Sequence, residues 1–325
     1  MKDQSLAVRA AWLSYIGGYT QSEIGRRLNV SPTKAHRLIG QAAKAGLVKV
    51  FVKGVPEECL ELEDFLSDRF QLNSCHIAPA MAEHEDEDDD AFSAVGAAAA
   101  RFLYEVLDAP ESRLIGVGKG RSLAAMVKGL PHLNRPDHKF VSVSGSLTRN
   151  LSANPFDVVH NLVEKTGGEG YFLPVPYIAS SAEEKNLLAS QKSVQDVLGL
   201  ARQADIYFIG IGSSGKNAHV RQVGMVTSAE WDELQKNRAV GDVMGSFVDA
   251  CGQPVDACVN RQTLGLSLDD LRGRKVIAVG GGAGKGEAVA AALKTGVITD
   301  LIIGETTAGI IRQMVDRAAD TQRAS

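Results

Sequence analysis

Three glycine-rich turns carry the residues of this chain best suited to hold an anion: GVGKGRS at 116–122, GIGSSG at 210–215 and GAGKGE at 282–287. Glycine lets backbone N–H groups come close to a phosphate, and a helix that starts just after the turn adds the positive end of its dipole. In the first turn Gly118 and Gly120 offer backbone, Lys119 and Arg121 are candidate cations, and Ser122 offers a hydroxyl. In the third, Lys285 stands beside another helix start. GIGSSG meets the spacing of a dinucleotide fingerprint, but the KNAHVRQVG after it opens no amphipathic helix, so that use is not expected. GAGKGE fails the nucleotide-hydrolysing P-loop, because Val279 and Gly286 stand where a glycine and a Ser/Thr are needed. A lone turn of this kind is most often just a tight strand-to-helix corner. Several at one edge of one sheet point instead to a small phosphorylated ligand.

Those turns need a sheet to hold them. After residue 110 the chain alternates short apolar runs with helical stretches. RLIGVGKG, KFVSVSGSL, YFLPVPYIA, ADIYFIGIGSSG, RKVIAVGG and TDLIIG read as extended. RSLAAMVKGL, FDVVHNLVEKTG and the stretches after GAGK and LIIG read as helices. This alternation predicts an α/β fold with a mostly parallel sheet, whose ligands bind beyond the carboxyl ends of the strands. Before it, ECLELEDFLSDRF (58–70) has helical spacing through Leu62, Phe65, Leu66 and Phe70 and reads as the connection to the front of the chain. The acidic run 83–90 reads as a solvated loop ahead of an Ala-rich helix at 91–107; His84 among those acids has no metal-ligand spacing.

A second chemistry belongs to the front. Residues 1–54 hold nine Lys/Arg against two acids, a formal +7, in a 325-residue chain of net charge −4. A basic head on an acidic body predicts a polyanion contact confined to the head. Val8, Ala11, Trp12, Tyr15 and Ile16 give residues 5–16 an amphipathic pattern, with Trp12 and Tyr15 expected in the core. Thr20 and Glu23 form a capping box for a helix over 21–28 that buries Ile24 and Leu28. Gly25 leaves room for a neighbour, and Asn29 suits a left-handed turn. Ser31 caps a third helix with Pro32 at its first position, Gly46 stops it, and LVKVFVKG alternates as a short strand or wing. Ala35, Leu38, Ile39 and Ala42 face inward; Lys34, Arg37, Gln41 and Lys44 face out. This is the pattern of a helix-turn-helix. Arg37 suits guanine and Gln41 adenine; Arg26, Arg27, Lys34 and His36 suit phosphates, and Gln21, Ser31 and Thr33 complete the candidate DNA contacts. The plainer alternative is a helical bundle with a solvated basic face.

Together, YTQSEIGRRLNVS, HRLIGQAAKAGLV, IGVGKGRSL, VSGSL, LPVPYIASS, ADIYFIGIG, AVGDVMGSFVDACG and GKGEAVAAALKTGVITDLIIGETTA resemble, in order and over nearly the whole length, the SorC/DeoR-type sugar-responsive transcription regulators. The resemblance implies a winged helix-turn-helix domain at 1–54. It implies an effector-binding and oligomerisation domain at 55–325, related in fold to glucosamine-6-phosphate deaminase and ribose-5-phosphate isomerase. It also implies a homotetramer or homodimer on double-stranded operator DNA, controlled by a phosphorylated sugar or polyol. The effector would meet Gly118, Lys119, Gly120, Arg121 and Ser122, the segment Ser144, Gly145, Ser146 and Leu147, then Asp242 and Lys285. Two departures stand out: Lys119 and Ser122 replace an aromatic residue and a Thr, and Gly304 precedes Glu305 where the family has an Asp-Glu pair.

No catalysis, cofactor or metal is expected. The enzyme alternative, a sugar-phosphate isomerase or deaminase with an appended DNA module, needs a positioned acid–base pair. Asp242, Glu305 and His160 are at hand, but no spacing joins them. A third reading is a DNA-binding scaffold whose body only oligomerises. The N-terminus has no signal-peptide pattern, no apolar run of membrane-spanning length occurs, and the four scattered cysteines read as reduced thiols, so a cytoplasmic protein away from membranes is expected.

Overall fold

The computed structural model describes residues 2–45, 47–48, 54–80, 88–145, 158–215, 218–282 and 284–323. It divides into two compact units, Met1–Val52 and Lys53–Ser325.

In the first unit α1 (Lys2–Ala11) continues into a π-helical turn, Trp12–Ile16, followed by α2 (Gln21–Leu28) and α3 (Pro32–Lys44). Local chemistry sets these boundaries. The Thr20 hydroxyl accepts from Glu23 N while the Glu23 carboxylate accepts from Thr20 N, closing the capping box. Asn29 ends α2 at φ 53°, in the left-handed region. Ser31 Oγ then accepts from Lys34 N at 3.2 Å, with Pro32 opening α3. A Cβ on Gly25 would lie 2.8 Å from Val30 O and 3.2 Å from Pro32 N, so the turn folds back against a position only glycine can fill. Ala7, Ala10, Ala11, Ile24, Ala35, Leu38 and Ala42 form the core, with Leu28 and Ile39 partly buried beside them.

One expectation is overturned here. Trp12 and Tyr15 are 64% and 48% exposed within this unit, and Val8 and Ile16 are exposed with them. The small alanines of α1 face inward and let the three helices pack closely, so the large apolar residues form the outer stripe. Gly46 and residues 49–53, most of the predicted wing, lie outside the described residues.

The second unit runs α4 (Glu57–Phe70), β1 (Ser74–Ala78), α5 (Asp88–Asp108), β2 (Leu114–Val117), α6 (Arg121–Gly129), β3 (Lys139–Ser142), α7 (Val158–Thr166) and β4 (Glu169–Tyr171). It continues with α8 (Ala182–Ala189), α9 (Lys192–Ala201), β5 (Ile206–Ser213), α10 (His219–Gln222), α11 (Ser228–Lys236), β6 (Gly241–Val243) and β7 (Ser246–Val248). The last elements are α12 (Cys258–Gln262), α13 (Leu268–Leu271), β8 (Val276–Gly280), α14 (Gly286–Lys294), β9 (Asp300–Gly304) and α15 (Glu305–Arg323). The sheet order is β1-β9-β8-β5-β2-β3-β4, every neighbouring pair parallel, and the hairpin β6–β7 pairs antiparallel to the end of β5.

Strand alternation sorts the core into two layers. Tyr207, Ile209, Val276, Ala278, Leu301 and Ile303 pack on one side with α4, α9, α14 and α15. Ile206, Phe208, Ile277, Val279 and Ile302 pack on the other with α5, α6 and α7. Central strands apolar on both faces are what helix-covered parallel sheets require, at about 1.5–3 kcal/mol for each large side chain buried. Of the predicted extended run YFLPVPYIA only Tyr171 belongs to a strand, β4; farther on Pro176 and Ile178 sit in isolated bridges, Ile178 to Thr263. The helix expected over 58–70 is part of this unit, burying Cys59, Leu62 and Leu66 and packing on β1 and α15. Residues 81–87 lie outside the described residues. Among the described residues no helix is long and apolar enough to cross a membrane, and all four cysteines are free thiols.

Candidate functional site

In the first unit, α3 turns Ala35, Leu38 and Ala42 inward. Thr33, His36, Arg37 and Gln41 are exposed on its outer side, and Lys34 is half-buried. Gln21, Arg26 and Arg27 are exposed on α2, and Ser31 on the turn between the helices. Two contacts organise this surface. Gln21 Nε2 lies 2.9 Å from His36 Nδ1, joining the start of α2 to α3. The Arg27 guanidinium stacks 4.0 Å over the Tyr19 ring, which orients it. The hydroxyl of Ser31 is engaged as a helix cap, so any DNA contact by this residue shares that role. The surface can present two exposed polar side chains of α3, Arg37 and Gln41, to base edges, with basic residues of α2 beside them.

In the second unit the parallel strands carry their C-terminal ends, and hence the glycine turns, to one edge. The chain runs from β2 outward to β3 and β4, then returns to place β5 on the other side of β2, with β8 and β9 beyond it. The switch point therefore falls between β2 and β5, where α/β sheets open a crevice for ligands. Gly118 N donates to Phe208 O at 2.8 Å, fixing the first turn against β5.

The predicted effector residues converge at this edge, except Ser146 and Leu147, which lie outside the described residues. Lys119 donates to Gly145 O at 3.1 Å, and its amine lies 3.3 Å over the Tyr177 ring. Ser144 and Gly145 are pinned by a bridge to Gly265 and by Gly145 N donating to Leu264 O at 2.9 Å. Lys285 donates to Ile211 O at 3.1 Å. Ser122 is buried, its Oγ accepting from Gly281 N at 3.2 Å, so this hydroxyl ties α6 to the turn after β8. Asp242, on β6 opposite Gly212 of β5, accepts from Gly245 N at 2.9 Å and from Tyr177 OH at 3.5 Å through Oδ2. Its Oδ1 is buried with no hydrogen-bond partner.

Burial and crowding set the electrostatics. Burial holds Lys119 well below the ordinary lysine range, with Asp242 pulling the other way. Burial raises Asp242, opposed by the Gly245 N–H, then Lys285 and Lys119. Burial and the Asp242 carboxylate push Tyr177 well up. His219, at the start of α10, is lowered by burial and then by Arg121, Lys285 and Lys119. Arg121, Lys285 and Lys119, from two turns, thus all act on His219, and the two lysines act on the buried Asp242 carboxylate as well. Such a crevice suits an anion whose remaining atoms bear hydroxyls, the amine and carboxylate serving the polar carbon chain.

Phe92, Tyr177 and His219 were missed from sequence. Phe92 and Tyr177 reach the edge from segments distant in the chain, and only their aromatic character hints at a cation contact; His219 follows the GIGSSG turn with no spacing to mark it. The acids and base of the enzyme alternative stay apart. Glu305, after β9, accepts from Ala80 N at 2.8 Å, whereas His160 is exposed on α7 beside β3 and β4, across β5 in the sheet order. Among the described residues no group of three His, Cys, Asp or Glu could hold a metal ion.

Residues 55–312 match the family model described as "Putative sugar-binding domain". The erythritol catabolism regulatory protein EryD of Brucella abortus (strain 2308) is 37% identical over 306 residues, covering 94% of this chain and 96% of that protein. The transcriptional regulator LsrR of Enterobacter sp. (strain 638) is 30% identical over 314 residues, covering 95% of this chain and 93% of its own. The fold is that of the full-length sorbitol operon regulator SorC from Klebsiella pneumoniae, with a TM-score of 0.66 at 22% identity over 96% of this chain and 99% of that one. A sheet edge crowded with cations, a helix-turn-helix pattern in the head and relatives of this kind along the whole length agree: the chain belongs to the SorC-type family of sugar-binding transcriptional regulators.

Proposed function

We propose that residues 1–54 grip operator DNA and that residues 55–325 bind a small phosphorylated sugar or polyol and assemble the protein as a homotetramer or homodimer, acting in the cytoplasm on an operon for sugar or polyol breakdown. The observation that carries this is the gathering of Lys119, Arg121 and Lys285 around His219 at the switch point, with Asp242 and its unpartnered oxygen beside them. Arg121 and Lys285 take the phosphate; Asp242 and the Lys119–Tyr177 pair take the carbon chain and its hydroxyls. Gln21, Arg26, Arg27, Ser31, Thr33, Lys34, His36, Arg37 and Gln41 supply the DNA contacts. Two copies related by a two-fold axis set two α3 helices into successive major-groove faces of a palindromic operator. Effector bound to one state of the body better than another shifts operator affinity, and a coupling of about 1–3 kcal/mol makes a useful switch. The Brucella relative is named for erythritol catabolism, which puts erythritol and its phosphates first among the ligands to try.

The test is a thermal-shift screen of sugars, polyols and their phosphates on the full chain, followed by gel retardation of promoter fragments with and without the hit. Stabilisation without turnover, together with altered retardation, is expected. Turnover of a sugar phosphate, or no promoter retarded at low ionic strength, overturns the proposal.

A further inference from the structure

Phe92 has no place in the binding scheme above, yet two of its cations meet on its ring. The Arg121 guanidinium lies 4.4 Å from the ring centroid and the Lys285 amine 5.5 Å. Arg121 opens α6 after β2, and Lys285 caps α14 after β8. The ring comes from α5, whose Gly96 packs against Ala125 of α6 so closely that a Cβ there would lie 2.6 Å from the alanine's own. Phe92 is 6% exposed and therefore fixed.

Two like charges brought together repel, and the repulsion grows as water is excluded. An aromatic face offsets part of it, because the ring quadrupole attracts a cation within about 6 Å of its centroid. Both distances fall inside that range. A leucine of similar bulk would fill the space but offer no such face.

We infer that Phe92 is the positioning residue of the anion site, its ring holding Arg121 and Lys285 in register so that one phosphate group can engage both. The inference rests on the effector reading proposed above and extends it to a residue outside the glycine turns. Phe92 touches the cations rather than the ligand. Its loss weakens phosphate binding while leaving affinity for an uncharged polyol unchanged. It also lets Arg121, the first of the cations that depress His219 after burial, move away from that ring, while the Ile211 carbonyl still holds the Lys285 amine.

The experiment uses the full chain and its F92L, F92M, F92Y and F92W variants. Binding of inorganic phosphate and of ribose 5-phosphate is followed by calorimetry, and the His219 ring by NMR across pH without ligand. Expected are a loss of about five- to thirtyfold in phosphate affinity for F92L and F92M, from two lost cation–π contacts, and recovery to within about threefold for F92Y or F92W. In F92L and F92M the His219 midpoint moves upward; in the aromatic variants it stays low. If the wild type binds and F92L and F92M bind equally well, or if all four variants lose affinity alike, Phe92 does not act through its ring and the inference fails while the effector reading stands. If the wild type binds no phosphate-bearing probe, the effector reading fails and takes this inference with it.

Discussion

Replacing Gly212 by alanine should disturb the buried carboxylate without touching a charged residue. Gly212 stands directly opposite Asp242 in the β5–β6 pair. An added Cβ would collide with Asp242 Oδ1 and lie 2.7 Å from its Cγ. The carboxylate must swing away, losing its 2.9 Å hydrogen bond from Gly245 N. A hydrogen bond to a charged group is worth about 1.5–3 kcal/mol, and overpacking a filled site costs about 1–3 kcal/mol. Relaxation recovers some of this, so G212A should lose about 2–5 kcal/mol. Buried Trp231 reports on this unit, whereas Trp12 is already 64% exposed. With a urea slope of about 2–3 kcal/mol/M, the Trp231 fluorescence transition should fall by about 0.7–2.5 M. In a D242A background the obstacle is gone, and the same glycine change should cost under about 1 kcal/mol. If G212A moves the midpoint by less than about 0.2 M, or if the two single costs simply add, then Asp242 does not pack over that strand as described.

The other predictions concern charge. Arg37→Ala should weaken operator binding about five- to hundredfold in gel retardation, since a good pairing with a base edge contributes about 1–3 kcal/mol, while effector-induced stabilisation persists; unchanged operator affinity removes Arg37 from the interface. Lys285→Ala should lose the thermal shift given by a phosphorylated effector while still retarding the promoter, and a normal effector titration would strike Lys285 from the site. His219 is depressed in the folded state, by burial first and then by its cationic neighbours. The unfolded chain therefore takes up a proton first, and stability should fall as pH drops below about 6.5, levelling off beneath the folded-state midpoint. His219→Asn should flatten that part of a melting-temperature profile, and a profile identical to wild type would show that this ring does not titrate as argued.

How much of this could be read from sequence depends on distance along the chain. The Thr20–Glu23 box, the left-handed Asn29 and the Ser31–Pro32 start of α3 are decided within a few residues, and the structure has each of them. The strand-and-helix alternation from 110 onward was equally legible, because a strand buried on both faces is continuously apolar and its helix follows at once. Trp12 and Tyr15 show the limit. Periodicity reveals that one side of α1 is apolar but not that its alanines, smaller and closer-packing, take the inside. The crevice shows it again. Ser122 meets Gly281 across 159 positions, and Tyr177 meets Asp242 across 65. Such meetings are set by strand order, which no local spacing encodes, so Phe92, Tyr177 and His219 were invisible until the sheet was assembled.

The pairing of β1 with β9 carries a consequence for biosynthesis. Ser74–Ala78 lines up with Asp300–Gly304, and α4 packs on α15. On the ribosome, the first strand of the sheet must therefore wait, edge bare and apolar side chains uncovered, until nearly the whole polypeptide has emerged. Closing so long a loop is slow, and the interval is when aggregation or chaperone capture competes. The three helices of the head need no such delay, so a nascent chain stalled before β9 would display a finished helix-turn-helix while its sheet still lacked a seam.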